Sequence, residues 1–249
     1  MIKIRTVGSS SAGNCYIIEC MTEEGFVEKL ILEAGIRFET VQKALNYDLS
    51  DISGCCISHC HGDHAGFAAQ MAEKRIVMYS TQGTIDAIKW IKTDIRYVYM
   101  TKKTPYSIGL FRVMAFETEH DAPDPCGFLI DCPDGNRIVF ATDTYYLKYN
   151  FPNVTIFMME CNYDEETLQQ NIKMGIVHPS VGERVRRSHM SIRQCITTLK
   201  ANDLSRTKGI ILIHLSHDNS HVEDFKRRVQ EATGRMVYVA TPNSVATFF

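Results

Sequence analysis

Six consecutive residues, His59-Cys60-His61-Gly62-Asp63-His64, restrict what this chain can become more than any other stretch of it. Cys55-Cys56-Ile57-Ser58 before them reads as a brief buried strand, and Ala65 to Glu73 after them as a helix. On an extended segment residues two apart share a side, so His59 and His61 point together, while Cys60 points away and serves packing. Asp63 and His64 fall at the start of the helix, where the turn carries them to the opposite side of one cavity. Imidazole and carboxylate suit zinc, manganese or iron. One run therefore feeds two metal positions, His59 and His61 to one, Asp63 and His64 to the other. Three histidines and an aspartate at these offsets fit poorly with incidental polar residues beside a strand end.

A two-metal site needs partners from elsewhere, and the sequence offers them at strand ends. His120 follows an alternating strand ending at Phe116, Asp143 follows Arg137-Ile138-Val139-Phe140-Ala141-Thr142, and His214 follows Ile210-Ile211-Leu212-Ile213. Loops at strand ends are where a sheet scaffold presents functional groups. One histidine after a strand is usually a cap or a core residue; two histidines and an aspartate in equivalent places predict a shared site.

Further strands are predicted at Ile2–Val7, Cys15–Glu19, Lys29–Leu32, Arg75–Tyr79, Arg96–Met100, Phe111–Phe116, Gly127–Asp131, Arg137–Ala141, Thr155–Met159 and Gly209–Ile213. Met236–Ala240 is read as the strand that closes the chain. Helical spacing appears at Phe38–Asn46 and about residues 164–174, 189–201 and 219–233. Strand-rich blocks alternating with helices, in two similar halves, predict an α/β fold of two packed sheets with helices outside, in four α/β/β/α layers. No repeat or Pro/Gly-rich linker interrupts residues 1–249, so a single domain is expected.

The net charge of -2 argues against a broad basic surface. Nucleic-acid binding would rest on local groups such as Arg184, Arg186 and Arg187, or Lys226, Arg227 and Arg228, both runs being read first as solvated faces. The nine cysteines are odd in number and form no CxxC pair, which suits reduced thiols rather than a disulfide scaffold. With no membrane-length apolar run and no signal-like start, a cytoplasmic enzyme without membrane attachment is expected.

His59-Cys60-His61-Gly62-Asp63-His64 resembles the HxHxDH signature of metallo-β-lactamase-fold hydrolases, and His120, Asp143 and His214 match that family's later ligand positions. The resemblance implies that His59, His61 and His120 hold one divalent ion, zinc or manganese, that Asp63, His64 and His214 hold a second, and that Asp143 bridges them. The sequence departs from the family at Leu32-Glu33-Ala34-Gly35, where an aspartate usually buttresses a ligand histidine; Glu33 can fill that role with a longer reach. Lactamases usually carry a cysteine ligand and lack the final histidine of the signature. Thioester hydrolases resembling glyoxalase II carry a His-Thr-Pro-Gly-His-like segment where this chain has Glu119-His120-Asp121-Ala122-Pro123.

Three segments resemble phosphodiester-cleaving branches instead. Gly8-Ser9-Ser10-Ser11-Ala12-Gly13-Asn14 is similar to the GSSSxGN loop of the YycJ-type exonuclease branch, whose small residues let amides and hydroxyls approach an anion. Ser188-His189-Met190-Ser191 is similar to the GHLS or GHST segment of that branch and of ribonuclease Z, implying that His189 protonates the leaving oxygen and Glu160 orients it. His214-Leu215-Ser216-His217-Asp218-Asn219 resembles an HLSxxN segment. Ser10, Asn14, Ser216 and Asn219 are the candidate substrate contacts. The implied chemistry is attack by a hydroxide bridging two metals and oriented by Asp63, on the phosphodiester of a nucleic acid, with DNA and exonucleolytic cleavage favoured. A phosphodiesterase for cyclic nucleotides or similar small esters is the alternative, and a metal-binding protein without hydrolytic activity is a third reading, disfavoured because no ligand position is lost. No β-CASP insertion and no long Gly/Pro-rich arm is present, so a partner or an oligomer could assist this minimal core.

Overall fold

The computed structural model describes residues 1–22, 24–88 and 96–249. Two seven-stranded sheets lie face to face. The first contains β1 (Ile2–Ser10), β2 (Gly13–Met21), β3 (Val27–Leu32), β4 (Ile52–Cys56), β5 (Met78–Ser80) and β6 (Tyr97–Tyr99). The second contains β7 (Pro105–Ile108), β8 (Phe111–Glu117), β9 (Cys126–Asp131), β10 (Arg137–Ala141), β11 (Ile156–Glu160), β12 (Gly209–Ile213) and β13 (Val237–Val239). A last strand, β14 (Val245–Phe248), returns to the first sheet and pairs antiparallel with β1. The orders are β14-β1-β2-β3-β4-β5-β6 and β13-β12-β11-β10-β9-β8-β7.

Alternation along the strands builds the layers. Ile156 and Met158 of β11 enter the core between the sheets, while Phe157 and Met159 face outward. There they meet Ile192, Cys195 and Leu199 of α7 (Ile192–Ala201) and Phe225 and Val229 of α8 (Val222–Thr233). In the first sheet Tyr16 and Ile18 point inward. Cys15 and Ile17 point out to Phe38 and Val41 of α1 (Phe38–Ala44) and Met71 of α3 (Ala68–Glu73), the short α2 (Gly62–Ala65) lying between. Burial on both faces is why β11 and β12 read as unbroken apolar runs. Across the sheets the Tyr16 and Phe140 rings meet edge-on at 5.6 Å, an aromatic contact worth about 0.5–1.5 kcal/mol beyond its area. The four α/β/β/α layers follow.

Strand direction decides where function sits. β3 and β4 are parallel, β1 runs antiparallel to β2 and so alongside β3, and β10, β11 and β12 are mutually parallel. β8 is antiparallel to β9, itself antiparallel to β10, so β8 runs with β10. The carboxyl ends of β3, β4, β8, β10, β11 and β12 therefore each deliver a candidate residue, and such ends are where α/β sheets bind ligands.

Several expectations are revised. Val237–Val239 does not close the chain, because β14 follows it. The helix expected from Ala65 begins at Ala68, after a break at Gly66 and Phe67. The helix expected over about 189–201 is α7, which begins at Ile192, where the Ser191 hydroxyl accepts from the Gln194 amide; His189 lies just beyond the end of a separate helix, α6 (Pro179–Ser188). The helices α4 (Gln82–Ala87) and α6 and the edge strand β7 had no sequence counterpart, whereas α5 (Glu165–Lys173) did.

Candidate metal centre

Ser58 leaves β4 pinned by the Cys126 amide on its carbonyl at 3.0 Å, and the chain turns into α2 with His61 as its N-cap. Asp63 and His64 thus lie in the first turn, across the cavity from His59 and His61. The structure brings together three overlapping donor groups, each with ligand atoms within 4.8 Å of one another: His59, His61 and His120; Asp63, His64, Asp143 and His214; and Asp143, Glu160, His189 and His214. Asp143 spans the first two. Its Oδ1 lies 3.3 Å from His64 Nε2 and 3.6 Å from His214 Nδ1, while its Oδ2 lies 3.8 Å from His59 Nε2 and 3.5 Å from His120 Nε2. Asp63 Oδ2 sits 3.3 Å from both His64 Nε2 and His214 Nε2.

Most of these histidines are oriented from behind. His120 Nδ1 meets the Ser188 carbonyl at 2.8 Å, which makes it the N–H nitrogen and leaves Nε2 a lone pair for the cavity. His59 Nδ1 is 2.9 Å from Ser58 Oγ, and its buried Nε2 has no hydrogen-bond partner among the described residues, as a nitrogen reserved for a cation would. Glu33, fully buried, places Oε2 3.3 Å from His64 Nδ1 and accepts from the Ser58 amide at 3.2 Å, so the expected buttress is in position. Gly35 locks the arrangement: a Cβ there would meet the Asp63 carbonyl oxygen at 1.7 Å and the Asn14 amide at 2.7 Å. Glu33, Asp143 and His214 all take left-handed backbone conformations, with φ of 68°, 43° and 55°. Such strain persists only where the surrounding fold imposes it.

Charge and burial are balanced within the cluster. Burial drives His59 and His120 below the usual imidazole range, suiting them to bind as neutral ligands. Burial also opposes a charge on His214, yet Asp143 and Asp63 overcome it and push its pKa up to about 10. Asp63 and Asp143 are held well below the carboxylate range: burial opposes this, but hydrogen bonds and charge from His214 and His64 prevail. Metal ligands bind deprotonated, so a cation in this cluster would compete with protons on its imidazoles. Five imidazoles, His59, His61, His120, His64 and His214, with the Asp63 and Asp143 carboxylates and no thiolate, form a donor set compatible with divalent metal ions.

Beside this cluster Glu160, buried at the end of β11, places Oε1 2.6 Å from His189 Nδ1. Its other oxygen accepts from the Thr144 and Met190 amides at 2.8 and 3.1 Å, which fixes the carboxylate. The His189 ring stacks on His214 with centroids 5.5 Å apart, and its Nδ1 lies 3.9 Å from Asp143 Oδ2. A cleft of about 530 Å³ opens over His61, Asp63, Asp143, His189 and His214.

Residues 30–215 match the β-lactamase superfamily domain. The chain belongs to that family. It is a metallohydrolase with the metallo-β-lactamase fold. The exodeoxyribonuclease YycJ of Bacillus anthracis is 26% identical to it over 231 residues, covering 87% of this chain and 83% of that one. Among solved structures, the metallo-β-lactamase fold protein YhfI of Bacillus subtilis superposes with a TM-score of 0.76 at 15% identity, covering 99% of this chain and 100% of that one. The zinc-bound PqqB of Methylobacterium extorquens gives 0.70 at 12% identity, with coverages of 99% and 100%.

Within this metallohydrolase the expected substrate contacts divide. Ser216 and Asn219 line the cleft, Asn219 being held by the Asn171 side chain at 2.9 Å. Ser10 turns its hydroxyl to the Ala12 amide at 3.2 Å, and Ser11 reaches the cleft instead. Asn14, expected at the substrate, is instead fully buried beneath the cluster, within bonding distance of the Asp63 carbonyl at 3.2 Å and His64 Nε2 at 3.1 Å. Cys60 packs against the core outside the first sheet, as expected. Sequence reading missed Ser9, whose hydroxyl accepts the His214 amide at 2.9 Å, and Asn162, which bonds His214 at 3.2 Å; only their places in the serine loop and two residues beyond Glu160 hinted at them. The basic runs are largely paired: Arg227 with Asp224 and Glu231, Arg228 with Asp164, Arg186 with Glu165 and Glu183.

Proposed function

We propose that the chain, acting as one catalytic domain over residues 1–249, is a binuclear metal-dependent phosphodiesterase, and specifically a DNA exonuclease of the cytoplasm. One observation carries the reading: a carboxylate whose two oxygens address two separate donor groups, with a glutamate-held histidine stacked beside them. His59, His61 and His120 would hold one ion, Asp63, His64 and His214 the other, and Asp143 both. When bound, zinc or manganese supplies charge to offset that building on the phosphoryl oxygens and lowers the pKa of an attacking water.

The chain's own groups do the rest. Asp63 and Asp143 orient the site and fix the spacing of the donors. Glu160 holds His189 Nδ1, so the imidazole carries a proton that it passes to the oxygen leaving the phosphorus. Ser11, Ser216 and the Asn219 side chain border the space for the phosphodiester. Similarity to an exodeoxyribonuclease supports DNA over other diesters, and nine free thiols, none in a disulfide, support a reducing compartment. Among the described residues no helix is long and apolar enough to cross a membrane.

The test incubates pure protein and manganese with end-labelled linear DNA, closed circular DNA and a cyclic nucleotide. Degradation of the linear DNA alone is the expected result. Cleavage of the cyclic nucleotide alone would sink the exonuclease and leave a small-ester phosphodiesterase.

A further inference from the structure

The three arginines of α6 do not form one solvated face. Residues three apart on a helix share a side, so Arg184 and Arg187 point together and Arg186 points elsewhere. Arg186 is occupied in fastening α6 to α5, at 2.7 Å from Glu165 and 2.9 Å from Gln169. Arg184 lines the metal cleft and also a second groove of about 300 Å³, in which Arg187, Ser180, Glu183 and Asp121 take part. It is therefore the ridge between the two. Among the described residues Arg187 makes no ion pair, and Arg184 makes a single one, to Asp121 at 3.0 Å, with both side chains about half exposed or more. An exposed pair of this kind is weak and readily exchanged for another anion.

The ridge is also aligned with the chemistry. Three residues of helix separate the two arginines by about 4.5 Å along the axis, close enough for both to meet the backbone of one strand. Beyond Arg187 the helix ends in Ser188, whose carbonyl orients His120, and in His189 itself. A strand with one phosphate at the metal cluster and its chain continuing past His189 would lay its next phosphates on this ridge.

We propose that Arg184 and Arg187 form a track for the uncleaved part of a nucleic-acid strand, holding the phosphates that neighbour the one under attack. This rests on the nuclease reading above. The track makes the enzyme selective for a polyanion over a lone diester, in a chain whose overall charge gives no such preference. Glu183, in the same groove, opposes it.

The experiment compares single-stranded linear DNA with bis(p-nitrophenyl) phosphate, an ester that reaches the metal cleft but not the groove. Arg187→Gln, in the groove and not the cleft, should lower the ratio of kcat/KM for DNA over that for the small ester by about tenfold, and Arg184→Gln, which borders both, should lower it by less. Each should also reduce the slope of log KM against log salt by about 0.7, the value for one phosphate contact on a single strand. Arg187→Lys should restore the slope, Glu183→Gln should raise the ratio, and Arg206→Gln, beside Asn153 at the far end of the sheets, should change neither. Equal losses on both substrates, or an unchanged salt slope, would overturn the track. Failure of the nuclease reading looks different: the parent enzyme would cleave the small ester and leave DNA intact.

Discussion

Replacing Glu33 by glutamine tests whether the fold's least typical residue works as a metal-site buttress. Glu33 serves two partners at once, His64 Nδ1 at 3.3 Å and the Ser58 amide at 3.2 Å, and is fully buried. The carboxylate accepts from the Ser58 amide and sets its charge against His64 Nδ1; an amide keeps at most one of these interactions in a buried place. That costs about 1–3 kcal/mol of stability, or roughly 2–12 °C in Tm for a chain of this size. Loss of the charge behind His64 should weaken the second metal position by about 10–100-fold, the usual cost of removing such a partner, equal to roughly 1.4–2.7 kcal/mol. Competition of the parent and Glu33→Gln against a chromogenic zinc chelator reads the affinity, and a thermal melt reads the stability. A lower Tm with metal affinity changed less than twofold would refute the buttress and leave Glu33 as a core residue only.

Other outcomes follow from the same geometry. His189→Ala should lower turnover by about 10²–10⁴-fold while elemental analysis still finds both metals; loss of a metal would make His189 a ligand instead. Gly35→Ala should abolish metal binding or folding, because its Cβ would overlap the Asp63 carbonyl; wild-type metal content in a soluble variant would contradict the close approach. Stripping metals with a chelator should lower Tm by roughly 8–16 °C when metal had been present at a thousand times its Kd, about 4 kcal/mol of linkage. Asp164 caps α5 and pairs with Arg228 at 2.8 Å; burial opposes its charge, but Arg228 and the Thr167 and Glu166 amides prevail and hold its pKa low. A depressed folded pKa contributes stability above the unfolded value of about 3.9 and loses it as pH falls through the folded one. Asp164→Ala should therefore cost about 0.5–2 kcal/mol near neutrality, and the gap between its melts and the parent's should close in acid.

The metal cluster was legible because its chemistry is written locally. His59 to His64 is contiguous, and His120, Asp143 and His214 each follow an apolar strand whose alternation or burial is plain in the sequence. Glu160 stood at such a strand end too. Asn14 was visible as a residue and misread in role, since nothing in a serine-rich loop says that its asparagine turns inward to the Asp63 carbonyl. α6 escaped notice because Pro179-Ser180-Val181-Gly182-Glu183 has few apolar residues and a helix-weakening glycine. That omission concealed the paired orientation of Arg184 and Arg187. β7, four residues beginning with proline at a sheet edge, is too short to declare itself.

Glu33, Asp143 and His214 enter the candidate metal site at three turns where an ordinary side chain is ill at ease, each at a cost of about 1–3 kcal/mol. Glycine would relieve the backbone at any of the three, but Glu33→Gly or Asp143→Gly would also strip buried partners from the Ser58 amide, His64 and His214, at about 1–3 kcal/mol for each group left unpaired. Strain and buried polar partners at these turns therefore go together, and the backbone cannot be relaxed without dismantling the donor geometry.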